Sequence, residues 1–264
     1  TMYETNFHKA ATAQEAAALL NTSEDGKILA GGQTLIPTMK QRLADPTDVI
    51  DLSGAAGLRG ITIAGDQITI GAMTPHAEVA GHAALAALCP SICKLAANIG
   101  DPAVRHRGTI GGSLANNDPA ADYPAAALAL NARIHTTSRE IAADDFFEGM
   151  FTTALEEDEI ITAISFTAPA KGGYGKFPNP ASRYAMAGVF VAKSADGSVR
   201  VAVTGASEDG VYRHDGLEAA LSADWSASAV DGVEISSDGL LSDLHGNAEY
   251  RANLIKVMAK RALG

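Results

Sequence analysis

The chain has 264 residues, with 20 Lys and Arg against 31 Asp and Glu, a formal charge of −11 and only two cysteines. A negative field of that size opposes nucleic acid and anionic membranes. No apolar run approaches the ~20 residues of a membrane span, and the first residues lack a basic region followed by an apolar one, so the expected setting is cytoplasmic with no transmembrane segment.

Taken in order, the chain begins with a short extended stretch and a helix announced by Thr12 and Glu15, a capping-box pair. Lys27 to Ala30 reads as a strand that runs into Gly31-Gly32-Gln33-Thr34, followed by an apolar-periodic segment to Leu43. Asp48 to Leu52 is a further strand. Gly60 to Ala64 and Gln67 to Gly71 alternate around Gly65-Asp66, which predicts a hairpin. A helical pattern occupies residues 77 to 99, broken at Cys89-Pro90 and stopped by Asn98-Ile99-Gly100. Cys89 and Cys93 lie one helical turn apart as two plain thiols. Their number rules out an iron–sulfur cluster held by this chain alone, which takes about four cysteines.

The central stretch, Arg107 to Pro124, carries the second glycine pair, Gly111-Gly112, followed by Asp118-Pro119, which reads as the N-cap and first position of a helix. Strands are predicted over 132–136, 140–141 and 159–166, with a helical turn near Asp144 to Phe147. Residues 171 to 180 are rich in Gly and Pro and read as a linker. Strands over 187–193 and 199–204, a small helix at 217–221, an acidic loop over 223–245 and a closing helix at 249–263 complete the chain. The pattern predicts a larger α+β domain followed by a smaller βββαα unit, with one continuous domain as the alternative.

Two glycine-rich turns, one running from a strand and both leading toward a helix, suggest phosphate binding, because paired glycines let backbone N–H groups approach an anion. Neither turn matches the Rossmann fingerprint or the P-loop. No Ser-His-Asp, His-Glu-x-x-His or paired-carboxylate arrangement is present, and His76 and His106 read as ordinary polar residues. Arg105 and Arg107 flank the second turn and offer charge to a phosphate site or a subunit contact.

The two turns, Ala30-Gly31-Gly32-Gln33-Thr34-Leu35-Ile36-Pro37 and Arg107-Gly108-Thr109-Ile110-Gly111-Gly112-Ser113-Leu114-Ala115, carry a resemblance, as do Gly71 to Thr74, Asp118 to Asp122, Ser182 to Val189 and Ala202 to Ala206. Over essentially its full length the chain resembles the FAD-binding medium subunit of molybdenum hydroxylases, the carbon monoxide dehydrogenase and xanthine dehydrogenase family. The resemblance implies a two-subdomain FAD-binding domain of the vanillyl-alcohol oxidase and p-cresol methylhydroxylase type over residues 1–170, with subdomains about 1–55 and 56–170. A small α/β domain with an antiparallel three-stranded sheet and helices follows over 171–264.

The resemblance also implies a cofactor and residues to hold it. The FAD pyrophosphate is expected between Ala30, Gly31, Gly32, Gln33, Thr34, Leu35 and Ile36 on one side and Thr109, Gly111, Gly112, Ser113 and Ala115 on the other. Backbone N–H groups and the Thr34, Thr109 and Ser113 hydroxyls are the expected donors. Thr74 and Asn116 are candidates for further polar contacts, and Ala121 lies beside Asp122. Asp122 resembles a family acid near the ribityl or ribose hydroxyls; its alternative is a helix first-turn carboxylate. Ile160 and Ile161 fall where the family strand passes the cofactor, a position core packing explains equally well. Tyr184 matches a residue that approaches the isoalloxazine ring. Lys176 is a candidate at the pyrimidine edge, or else a solvated loop lysine.

No catalytic side chain and no metal ligand is expected, since the flavin holds the chemistry. The implied partners are a [2Fe–2S] small subunit and a molybdenum-cofactor large subunit in a dimer of heterotrimers, with quinone, oxygen or NAD as terminal acceptor. The complex would then be cytoplasmic, or held at the inner face of the membrane through its partners. Two alternatives are a stand-alone FAD-dependent oxidoreductase with its own substrate site and an assembly subunit with an emptied flavin site.

Overall fold

The computed structural model describes residues 2–264. Among the described residues three larger sheets follow one another along the chain, with a two-stranded ribbon besides. The first contains β1 (Asn6–Lys9), β2 (Gly26–Leu29) and β3 (Asp48–Asp51), joined by helices α1 (Ala13–Thr22) and α2 (Leu35–Lys40), and its strands run parallel in the order β1-β3-β2. The capping signal at α1 is realised: the Thr12 hydroxyl accepts from Glu15 N, while Glu15 reaches back to accept from Ala11 N.

The predicted hairpin forms from β4 (Ile61–Ala64) and β5 (Gln67–Gly71), with Gly65 at φ +66° in the turn. Three helices follow: α3 (His76–Gly81), α4 (Ala83–Leu88) and α5 (Pro90–Ala97). The break at Cys89-Pro90 is where the sequence puts it. A second break comes at His82, whose Nδ1 accepts from Leu85 N and caps α4. Both thiols are free and buried, and burial pushes Cys93 up to about 11.

Next come α6 (Pro102–Arg107), α7 (Ile110–Asn116) and α8 (Tyr123–Ala129). The stretch read as a glycine-rich loop feeding a helix at Asp118-Pro119 is therefore itself helical. Thr109 caps α7 by accepting from Gly112 N, and Asn117 ends it in the left-handed region at φ 42°. Asp118 caps no helix. Its carboxylate accepts from Ala120 N in a local turn, and α8 starts after Asp122 with Pro124 in its first turn.

Strands β6 (Arg133–Thr136) and β7 (Glu140–Ala142), a short 3₁₀ turn, the ribbon β8 (Phe147–Gly149) with β9 (Thr152–Thr153), and β10 (Ile161–Thr167) complete this region. The second sheet is antiparallel, in the order β4-β5-β10-β6-β7.

The predicted linker is instead a strand, β11 (Lys171–Pro178), on the edge of the third sheet. That sheet continues with β12 (Ala185–Lys193), β13 (Val199–Thr204) and the two-residue β14 (Tyr212–Arg213), so it has four antiparallel strands where three were expected. The glycines of β11 belong to packing. Helix α9 (Asp215–Ala223) and the closing α10 (Ala248–Ala262) cover the sheet. A Cβ on Gly175 would meet the Met258 carbonyl carbon at 3.1 Å, and one on Gly173 would meet that of Ala262 at 2.7 Å. Residues 173 and 175 share a face of the strand, so glycine at both lets the α10 backbone lie directly on it.

The central core gathers Ile68, Ile70, Ile134, Ile164 and Phe146 around the fully buried helix α8, and continues through Tyr174, Phe190 and Ala202 into the third sheet. That continuity brings β11 against the end of α5 and the start of α8. Among the described residues no helix is long and apolar enough to cross a membrane.

Candidate functional site

The first glycine pair leaves β2 and enters α2. Gly32 sits at φ +73°, a conformation that side chains resist, and Gln33-Thr34 turn into the helix. The amides of Gly32, Gln33, Thr34 and Leu35 meet no acceptor in the protein among the described residues. The Thr34 hydroxyl is likewise unpaired and exposed. Successive N–H groups in a turn that passes through the left-handed region form a concave anion site. A diphosphate needs several short donors, and this turn supplies them.

Gly31 is buried against the second segment. A Cβ there would lie 2.7 Å from the carbonyl carbon of Arg107 and from Gly108 Cα. The two glycine segments, some 75 residues apart in sequence, are thus in backbone contact, and only Thr109 separates that contact from the start of α7.

The second segment differs from expectation in how it is bonded. Ile110 N donates to Thr74 O, Gly111 N to Ala72 O, Gly112 N to the Thr109 hydroxyl and Ser113 N to Thr109 O. These four amides brace the start of α7 and are not free donors for a phosphate. What remains for a ligand is side chains: the Ser113 hydroxyl and the Asn116 carboxamide are half-buried, with no partner among the described residues. Ala115, one residue before Asn116, is exposed.

Thr74 is fully buried, and its hydroxyl both donates to Gly60 O at 3.1 Å and accepts from Gly60 N at 3.0 Å. It ties the hairpin to α7 rather than presenting a free polar group. Ile160 and Ile161 are each 4 % exposed, and the Ile160 amide and carbonyl are both bonded to Thr137, so packing accounts for both residues.

Asp122 and Lys176 come together as a pair. Asp122 is fully enclosed, and Lys176, on β11, places Nζ 2.9 Å from its Oδ2 and 3.2 Å from Asn98 O. The lysine side chain is only 6 % exposed, so the solvated-loop alternative does not hold. Tyr174, two residues earlier on the same face of β11, donates a short hydrogen bond to the other carboxylate oxygen. Burial raises the Asp122 pKa, and the Lys176 charge and the Tyr174 hydroxyl work against that rise. Ala121 is buried beside it and accepts from the Thr204 hydroxyl.

Tyr184 is 48 % exposed at the end of the β11–β12 loop, and burial together with the field of Asp118 and Asp122 pushes its phenol up. It therefore shares a region with the carboxylates. The loop that carries it is closed by Asn179, whose carboxamide accepts from Ala181 N and Ser182 N and whose N–H donates to Tyr184 O.

Sequence reading missed Tyr174 and Asn117. The signal for Tyr174 was its two-residue spacing from Lys176, hidden by the linker assignment. Asn117 is 2 % exposed and donates to Gly149 O and Thr152 O, which ties the tip of the β8–β9 ribbon to the end of α7. His76 is buried with Nδ1 unpaired, and its ring lies 5.3 Å from that of Tyr123. Burial, followed by the nearby Arg105 charge, lowers its pKa to about 4. No cluster of metal-binding side chains occurs among the described residues.

Comparison with known proteins agrees with this geometry. Residues 3–169 match the family described as FAD binding domain in molybdopterin dehydrogenase. The chain is 38 % identical over 266 residues to the nicotine 6-hydroxylase medium subunit of Paenarthrobacter nicotinovorans, covering 96 % of this chain and 94 % of that one. It is 34 % identical to the carbon monoxide dehydrogenase medium chain of Hydrogenophaga pseudoflava, covering 97 % and 95 %. Among solved structures, reconstituted CO dehydrogenase from Oligotropha carboxidovorans superposes with a TM-score of 0.89 at 34 % identity, over 100 % of this chain and 97 % of that one. Quinoline 2-oxidoreductase from Pseudomonas putida 86 gives 0.88 at 27 % identity, over 100 % and 96 %. With a family match over more than half its length and a turn of free amides suited to a diphosphate, the chain belongs to the FAD-binding family of molybdopterin dehydrogenases.

Proposed function

We propose that this chain is the FAD-carrying medium subunit of a molybdenum hydroxylase, passing electrons from the [2Fe–2S] clusters of a small subunit to a terminal acceptor. Substrate oxidation belongs to a molybdenum-cofactor large subunit, and the three chains assemble as a dimer of heterotrimers. The acceptor is quinone, oxygen or NAD, and the complex is cytoplasmic, with membrane contact made only through partners. The observation that carries the reading is the row of free amides from Gly32 to Leu35, packed against the backbone that leads into α7.

In this reading the chain divides into residues 1–170, of the vanillyl-alcohol oxidase type, and 171–264. The bound flavin supplies the redox chemistry, accepting and releasing electrons. The residues of the chain position it. Gly32 to Leu35 and the Thr34 hydroxyl hold the pyrophosphate, with Thr109 and Gly111 to Ser113 shaping its other wall. Ser113 and Asn116 offer further polar contacts. Asp122 faces the sugar-chain hydroxyls, Lys176 brings positive charge toward the ring edge, and Tyr184 flanks the ring. Thr74, Ile160 and Ile161 support this wall from behind.

The test is purification from the native host under gentle conditions, followed by a visible spectrum, flavin identification and iron and molybdenum analysis. FAD with iron, molybdenum and two further subunits is the expected result. FAD on a lone chain that is bleached rapidly by a pyridine nucleotide or a metabolite would overturn the reading in favour of a self-sufficient flavoenzyme.

A further inference from the structure

The β8–β9 ribbon ends in a turn, Gly149-Met150-Phe151-Thr152, that the end of α7 grips. The Asn117 carboxamide donates to Gly149 O at 2.7 Å and to Thr152 O at 2.9 Å, and the Phe151 amide donates to Asn117 O at 2.9 Å. Asn117 and Phe151 both lie in the left-handed region, at φ 42° and φ 56°. Asparagine tolerates that region, whereas a bulky aromatic residue resists it. Asn117 thus holds a strained turn in one shape, and the turn points its two large side chains outward. Phe151 is 60 % exposed and Met150 44 %.

The surroundings are acidic. A Cβ on Gly210 would stand 3.7 Å from the Gly149 carbonyl carbon and 3.8 Å from Met150 N, so the turn that carries Glu208 and Asp209 rests against the ribbon. Glu148, Glu208 and Asp209 are exposed and have no ion-pair partner among the described residues. The three segments that build this corner hold no Lys or Arg. None stands between Arg107 and Arg133, between Arg139 and Lys171, or between Arg200 and Arg213.

An aromatic side chain and a methionine fixed on rigid backbone suit a pocket on another protein, because little conformational freedom is lost when they enter it. The acids select the occupant. Two copies of this chain meeting at this corner across a two-fold axis would set acid against acid, and an anionic lipid surface would be repelled likewise. A different chain, with an apolar socket rimmed by Lys and Arg, is complementary. Helix α7, seven residues long, spans about 10 Å between this corner and the proposed pyrophosphate cradle. A chain seated here stands beside the flavin, where an electron donor has to be. We infer that Met150 and Phe151 are the anchor on which the iron–sulfur subunit docks, through an apolar socket with a basic rim; this rests on the function proposed above.

The experiment dilutes the FAD-loaded complex and reads by native mass spectrometry which subunit leaves and with what Kd. FAD, iron and molybdenum are measured first on the unaltered complex, where an absence of all three would overturn the proposed function and this docking with it; the variants then test the docking alone. Met150→Gln with Phe151→Asn removes the anchor and places at 151 a residue suited to the left-handed region. This pair is expected to weaken attachment of the iron–sulfur subunit at least tenfold with FAD content unchanged. The reversal Glu208→Lys, Asp209→Lys is expected to weaken it too, most strongly at low salt. Phe7→Thr removes another exposed aromatic, on the edge strand β1, and is expected to leave the Kd within twofold. Docking at this corner is overturned if the anchor variant keeps the iron–sulfur subunit within twofold of wild type, if Phe7→Thr weakens it equally, or if the large subunit leaves instead. A fall in FAD content in the anchor variant overturns it as well, since the ribbon would then support the cofactor and not a partner.

Discussion

Replacing Gly31 by Ala adds one methyl group at the point where the two glycine segments touch. The new Cβ would sit 2.7 Å from both the Arg107 carbonyl carbon and Gly108 Cα, closer still to the carbonyl oxygen, and all three are backbone atoms that cannot rotate away. One segment must move by most of an ångström. Overpacking of this kind costs about 1–3 kcal/mol. The strain is relieved by parting the free amides from the start of α7, which is the same displacement that opens the proposed pyrophosphate cradle. If the full cost falls on cofactor affinity, FAD binding weakens by about 5- to 150-fold, at roughly 1.4 kcal/mol per tenfold.

The assay is titration of FAD into flavin-stripped complex, read by quenching of flavin fluorescence, with the ratio of flavin to protein absorbance in the purified variant as a second readout. Gly81→Ala is the control, because a Cβ at Gly81, at the end of α3, meets nothing within 4 Å. Stoichiometric flavin and an unchanged Kd in Gly31→Ala would refute the claim that contact between the two segments shapes the site.

Tyr174→Phe removes a donor from the fully buried Asp122 carboxylate and should lower stability by about 1–3 kcal/mol, seen as a drop in Tm. An unchanged Tm would show that the carboxylate needs only Lys176. His76 is buried and neutral, with its pKa lowered from 6.5 to about 4, so the unfolded chain binds the extra proton and stability falls with pH across that window. The loss should reach about 3 kcal/mol by pH 4. Denaturant melts should show this slope flattened in His76→Phe, and an equal slope in the variant would assign the acid sensitivity to another group. Glu159, its side chain 1 % exposed, is raised by burial but brought down to about 2 by hydrogen bonds from Arg139, Thr136, the Glu156 amide and Ser138. Its contribution is present above pH 4.5 and is lost as pH falls toward 2. Glu159→Gln should therefore cost about 2–3 kcal/mol at neutral pH, and a neutral result in thermal melts would contradict the burial argument.

Much of the chain's local grammar is legible without coordinates. Thr12 and Glu15 announce α1, Pro90 splits the helical run after Cys89, Gly65-Asp66 turns the β4–β5 hairpin, and both glycine pairs stand where backbone comes close to something. Each of these signals acts within a few residues through a cap, a fixed φ or a strand period, so sequence carries it whole. Tertiary structure decided the rest. Gly31 rests on Arg107, Lys176 reaches Asp122 across 54 residues, and β3 lies between β1 and β2. Pairing at that distance depends on topology, which no local pattern encodes.

The glycines of 171–180 look like linker because the α10 backbone they accommodate is more than 80 residues away. The Ile110 and Gly111 amides at the start of α7 look free because their acceptors, Thr74 O and Ala72 O, come from the residues that follow the β4–β5 hairpin. The sequence by itself determined most of the elements and the two paired-glycine turns. Which amides stay free to bind, and which carboxylate meets which lysine, was settled only when distant backbone came into contact, because a hydrogen-bond donor is available only if nothing in the folded chain has already taken it.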